Sequence, residues 1–129
     1  MLRASFCLRR LPEMSHEQFV TYWRDVHAPL VRANASALGM VGYFQIHTVH
    51  EGANRGLQAA RHGPDPYDGI AEAWFEDLES TLERFSSDEG RAAWLLLAED
   101  EGRFIDLANS PIFFGEALTI IAPATRATG

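Results

Sequence analysis

Phe19, Trp23 and His27 recur every four residues, the spacing that stacks side chains along one side of a helix. An imidazole at the edge of such an aromatic stripe can take or give a proton near pH 7 without large tuning. That suits enolisation, cyclisation or dehydration of an apolar substrate. Shortly after, Tyr43, Gln45 and His47 alternate with Phe44 and Ile46. In a strand the first three share one face, where they could bind and orient a carbonyl or phenol oxygen. Each set also has a structural reading. His27 could be a helix-terminal residue bonded to nearby backbone, just before Pro29 disturbs the ladder. Tyr43, Gln45 and His47 could sit in a subunit interface, where Tyr and polar side chains are at home. His27 can meet Tyr43 and His47 only if their strand face looks toward the helices.

The remaining candidates are weaker. Glu72 alternates with Ile70 and Trp74; buried, it would titrate high and could act as an acid or base. The favoured reading pairs it with an arginine of the first strand, Arg3 or Arg9, because buried charges are paired. Cys7 reads as a small buried hydrophobe, and His16 as an exposed first-turn residue. His47 and His50 are three apart and point to opposite strand faces, so they are no metal pair. No zinc-like spacing, phosphate loop or dinucleotide fingerprint is present. No metal or other cofactor is therefore expected, and haem on His27 or His47 is required by no feature. The acidic run 99–101 reads as a solvated helix face.

These side chains need elements to hold them. Residues 2–9 alternate as a half-buried strand. Ser15 and Gln18 form a capping box that opens a helix. It is expected to run to about Val31, with a kink or early end near Ala28 because Pro29 lies inside it. Gly39 stops whatever helix follows. Residues 41–51 form a second strand and 51–68 a loop, functional, mobile or partly helical around 57–61. Residues 68–75 form a third strand. Asp77 caps a short helix through Phe85, Asp88 caps another that carries Trp94 and Leu97, and 112–122 form the last strand. Residues 123–129 read as a frayed tail.

The order β-α-β-β-α-β is that of a ferredoxin-like α+β fold, a four-stranded antiparallel sheet with helices on one face, built as a single domain over residues 1–122. The strands carry apolar residues on both faces, so a second subunit is the simplest cover for the face without helices. The chain has 129 residues, 47% hydrophobic and 22% charged, with a formal net charge of -7. This balance argues against nucleic acid and anionic membrane as partners. One cysteine excludes an internal disulfide and points to the cytoplasm. No apolar run is long enough to span a bilayer, and the N-terminus lacks signal-peptide order.

Residues 22–31 (YWRDVHAPLV), followed by 42–47 (GYFQIH), resemble the EthD family of the dimeric α+β-barrel superfamily. Residues 10–15, 68–75 and 103–106 support the likeness, which covers nearly the whole domain. The resemblance implies a homodimer whose two sheets join into a barrel, and a pocket in each subunit between sheet and helices. Relatives in the superfamily include cofactor-free monooxygenases, isomerases, cyclases, dehydratases and haem-binding enzymes. The expectation is a catabolic enzyme, oxidoreductase or lyase/isomerase, that moves protons on an apolar or aromatic oxygenated metabolite without a cofactor. His27 would transfer the proton, Tyr43, Gln45 and His47 would position substrate oxygen, and Phe19, Trp23 and Trp74 would form walls. The rival expectation is a non-catalytic binding or accessory protein of an oxygenase system.

Overall fold

The computed structural model describes residues 1–125. It comprises β1 (Leu2–Leu8), α1 (His16–Tyr22), a π-helical turn (Trp23–His27), α2 (Ala28–Leu38) and β2 (Gly42–His47), then α3 (Glu51–Arg61) and β3 (Gly69–Phe75). α4 (Leu78–Ser86), α5 (Asp88–Glu101), a short 3-10 turn (Leu107–Asn109) and β4 (Ile112–Glu116) complete it. The sheet order is β2-β3-β1-β4, antiparallel throughout, which is the ferredoxin-like arrangement.

The register settles which face each candidate occupies. Tyr43 lies opposite Ala73, and Ala73 opposite Ala4; Gln45 lies opposite Ala71, and Ala71 opposite Phe6. These residues look toward the helices. Phe6, Leu8, Phe19, Trp23, Phe104 and Ile105 form one core cluster between sheet and helices. Val31, Leu38, Ala93 and Leu97 form a second where α2 meets α5.

Helix α1 starts where the capping box predicts: Gln18 N–H donates to Ser15 Oγ, and Ser15 N–H donates to Gln18 Oε1. Pro29 neither ends nor breaks the helix. It has no N–H to donate, and its ring would collide with the Asp25 carbonyl in α geometry. The chain widens instead into the π turn, and the Ala28 N–H bonds the Trp23 carbonyl five residues back. The helix then resumes to Leu38 and stops at Gly39, whose φ of 71° is left-handed and suits glycine.

Four boundaries differ from expectation. β2 ends at His47, and residues 51–61 are fully helical. Helix α3 has an acid, Glu51, in its first turn, an Arg55–Glu51 ion pair at i,i+4, and no buried residue. Two glycines, and apolar positions filled by alanines and one leucine, hide such a helix. Ser87, not Asp88, caps α5, and β4 stops at Glu116. Residues 126–129 of the expected tail lie outside the described residues.

Gly69 opens β3 beneath Trp23. A Cβ there would lie 2.5 Å from the Ile46 carbonyl oxygen and 2.6 Å from the Trp23 ring. Neither the backbone nor a fully buried indole can retreat cheaply. Gly69→Ala should lower stability by about 1–3 kcal/mol in urea denaturation. An unchanged midpoint would show that the Trp23 seat is loose.

Candidate active site

Between the sheet and helices α2 and α5 lies a cavity of about 620 Å³. Its walls are mostly apolar, with Phe6 and Ala73 from the sheet and Val31, Leu97 and Trp94 from the helices. Four polar side chains reach it: His27, Tyr43, Glu101 and Ser110.

His27 ends the π turn and is 4% exposed. Its Nδ1 lies 2.8 Å from Oδ2 of Asp100, itself 3% exposed. The Asp100 carboxylate also accepts from the Tyr22 hydroxyl at 2.6 Å and Arg103 Nη1 at 3.1 Å. Burial alone would raise the Asp100 carboxyl, but the hydrogen bonds from Tyr22, His27 and Arg103 outweigh it and hold it below the usual range. An ionised carboxylate only accepts, so His27 Nδ1 carries the proton. Burial pushes the imidazole below its ordinary value despite Asp100, so it is neutral at pH 7. Nε2 then holds a lone pair. It bonds no described residue, and no described buried nitrogen or oxygen lacks a partner, so the cavity reaches it.

Glu101, the next residue on α5, carries the largest perturbation. Burial, reinforced by the charge of Asp100, raises its carboxyl from 4.5 to about 7. Its side chain bonds no described residue. Tyr43 adds a phenol pushed above its usual value by burial, against the opposing hydrogen bonds from Gln45 and Trp23, and kept protonated. The cavity thus holds a base, a carboxyl poised at neutrality and a hydroxyl donor, with little water-like surroundings to weaken them.

The other expected site residues separate from this group. Trp23, fully buried, forms a wall, and its Nε1 donates to the Tyr43 oxygen at 3.3 Å. Phe19 is core, against Trp23 and Phe104 at ring distances of 5.4 and 5.5 Å, and does not line the cavity. Trp74 lies on the opposite sheet face, beside Phe44 and under Arg3, with Nε1 2.6 Å from Glu72 Oε1. The alternation along β3 that sends Ala73 to the helices sends Trp74 away from them, so it is no wall of this cavity. Glu72 pairs with Arg3 at 3.1 Å. Gln45 stands behind Tyr43. His47 faces a separate, polar cleft of about 920 Å³ under α3, its ring 4.8 Å from that of Trp23. His16 is tied down: Nδ1 lies 2.7 Å from Asp68 Oδ1 and Nε2 2.9 Å from the Thr48 carbonyl. Among the described residues, no group of three or more His, Cys, Asp or Glu side chains could hold a metal ion, and no helix is long and apolar enough to cross a membrane.

Asp100 and Glu101 escape a reading of residues 99–101 as a solvated acidic run. A signal existed. Ala93, Leu97, Asp100 and Phe104 follow the 4-3-4 spacing of a buried helix stripe, which puts one acid of the three in the core.

The raised Glu101 makes stability depend on pH. The folded state keeps a proton that the unfolded chain loses above about 4.5. The stabilisation this gives is present below 4.5 and is lost as pH rises through about 7. Glu101→Gln should therefore match the parent near pH 4 and exceed it at pH 8 by about 1–2 kcal/mol, discounted for partial exposure. Thermal melts at the two pH values check this, and equal offsets at both would contradict it.

Comparison with known proteins places this geometry in context. No curated protein sequence matches the chain. Among solved structures it is similar to an ethyl tert-butyl ether D (EthD) family protein from Bacillus halodurans, at 21% identity and a TM-score of 0.59, covering 92% of this chain and 100% of the other. It is similar to a dimeric protein of unknown function with a ferredoxin-like fold from Bacteroides fragilis (8% identity, TM-score 0.57, 90% and 95% covered). A dabb family protein with a ferredoxin-like fold from Mesorhizobium loti is a further neighbour (9% identity, TM-score 0.51, 92% and 97% covered). At these identities the structures establish the fold alone. The EthD domain family matches residues 11–108, from just after β1 into the 3-10 turn before β4, and the chain belongs to that family.

Proposed function

We propose that the chain is an enzyme that transfers protons on a small, mostly apolar, oxygen-bearing and preferably aromatic metabolite held in the cavity. The observation that carries this reading is Glu101, at about 7, opening on the same apolar space as the neutral His27. Titratable groups pushed by burial toward the working pH mark candidate acid–base sites.

In this scheme His27 Nε2 takes a proton from a carbon beside a carbonyl or phenol-derived oxygen. Asp100 stabilises the imidazolium that forms, without itself taking the proton. The Tyr43 hydroxyl donates to the oxygen on which negative charge develops. Glu101, in its protonated form, returns a proton to the rearranged product or to a leaving hydroxyl. The scheme covers isomerase, dehydratase and cyclase chemistry and asks for no cofactor. A reducing cytoplasm suits its lone thiol, Cys7.

His27→Ala should lower kcat by about 10²–10⁴-fold on a substrate found by screening enolisable ketones and hydroxylated aromatics. Full turnover by a folded His27→Ala protein would sink the catalytic reading. One observation favours a second reading, a non-catalytic binding or accessory protein: His27 is held in a buried network with Asp100, Tyr22 and Arg103 that has structural value of its own. That reading expects tight ligand binding, no turnover, and an effect of His27→Ala on affinity only.

We also propose a homodimer through the sheet face that carries no helices. Phe44, Ile46 and Phe113 are 49%, 54% and 57% exposed there, beside Trp74. Large apolar side chains exposed together on one sheet face favour a covering partner, and the similar structure from Bacteroides fragilis is that of a dimeric protein. Ile46→Glu should shift the light-scattering mass from dimer toward monomer. A parent protein that is monomeric at micromolar concentration would rule this interface out.

A further inference from the structure

Gln45 shares a strand face with Tyr43, yet it does not line the cavity. Its amide is engaged at both ends. Nε2 donates to the Trp23 carbonyl at 3.0 Å and to the Tyr43 oxygen at 3.3 Å, and Oε1 accepts from His47 Nε2 at 2.8 Å. The amide has one sensible orientation. Rotated by half a turn, its oxygen would face the Trp23 carbonyl oxygen, acceptor against acceptor.

The Trp23 carbonyl anchors this arrangement. It belongs to the π turn forced by Pro29, where it also receives the Ala28 N–H. Two donors, Trp23 Nε1 and Gln45 Nε2, converge on the Tyr43 oxygen, both at 3.3 Å. They occupy both of its lone pairs. The hydroxyl proton of Tyr43 then has no described acceptor and is free to be donated into the cavity. The same two bonds favour negative charge on the phenol oxygen and so strengthen it as a donor.

We propose that Gln45, oriented by His47, is a positioning residue that fixes the Tyr43 hydroxyl as a donor aimed into the cavity, and that it acts through Tyr43 rather than on the substrate. The proposal rests on the reading of the cavity as a proton-transfer site. It assigns to the polar cleft beneath α3 a role behind the site, since His47 holds the amide from that side and the Trp23 ring separates the two spaces.

The test needs no substrate in its first arm. The protein carries three tyrosines, Tyr22, Tyr43 and Tyr67, which can be replaced uniformly by 3-fluorotyrosine and followed by ¹⁹F NMR, with Tyr43→Phe assigning the resonance. Gln45→Leu should raise the Tyr43 titration midpoint by about one pH unit, a tenfold change in proton affinity, and leave Tyr22 and Tyr67 in place. Gln45→Met, nearer in length, should do the same and covers the case in which leucine disturbs the fold. An unmoved Tyr43 midpoint in both variants would overturn the proposal.

The second arm uses a substrate once one is turned over. Gln45→Leu should then lower kcat about tenfold with KM nearly unchanged, and should add nothing on top of Tyr43→Phe. Additive losses would mean that Gln45 meets the substrate itself, which also overturns the proposal. If the NMR shift occurs but Tyr43→Phe keeps full turnover, the hydrogen-bond network stands and the catalytic reading it rests on falls.

Discussion

One buried carboxylate sets the terms for the rest of the site. Asp100 lies on α5 with three donors around it, from Tyr22 on α1, His27 at the end of the π turn and Arg103 after α5. Removing Tyr22 or His27 would leave a buried carboxylate oxygen short of a hydrogen bond, a loss of about 1–3 kcal/mol. The bonds from Tyr22 and His27 tie α5 to the first helical layer in one geometry. Their chemical consequences run in two directions. Asp100 fixes the His27 proton on Nδ1 and leaves Nε2 a base, and its charge adds to the burial that holds the neighbouring Glu101 protonated up to about neutrality.

The second constraint is Pro29. An uninterrupted α-helix would place Trp23 and His27 one slightly overwound turn apart and commit the Trp23 carbonyl to a four-residue bond. The π turn instead ties that carbonyl to Ala28 and leaves it in reach of Gln45. A single backbone irregularity thereby links the helix layer to the sheet through Trp23, Gln45 and Tyr43. Irregularities of this kind cost free energy and persist where surrounding packing holds them, here a fully buried indole above Gly69.

Most of the architecture is legible in the chain because period-two alternation in β1 and β3, the Ser15 capping box and Gly39 report local physics directly. The α3 helix is not, since two glycines and a single large apolar residue, Leu57, leave little to announce it. Trp74 is misplaced for a related reason. Alternation says that it faces away from Ala73, but only the strand pairing says which of those faces meets the helices. The site divides the same way. His27 and Tyr43 stand out by residue type and spacing. Their partners Asp100 and Glu101 sit more than 50 residues further along, inside an acidic run whose average character is exposed. Burial of one acid and half-burial of the next depend on how α5 rotates against α2, a tertiary fact that the apolar stripe through Ala93, Leu97 and Phe104 hints at and composition conceals.

The cavity's chemistry turns on a carboxyl that titrates far from its normal range. The decisive measurement is a ¹³C NMR titration of the Glu101 side-chain carboxyl in the folded protein. A midpoint close to 7 would establish an acid–base group matched to neutral pH inside the apolar space that His27 and Tyr43 share. A midpoint near the ordinary 4.5 would mean that water reaches Glu101 freely, and the proton-transfer site would lose its basis.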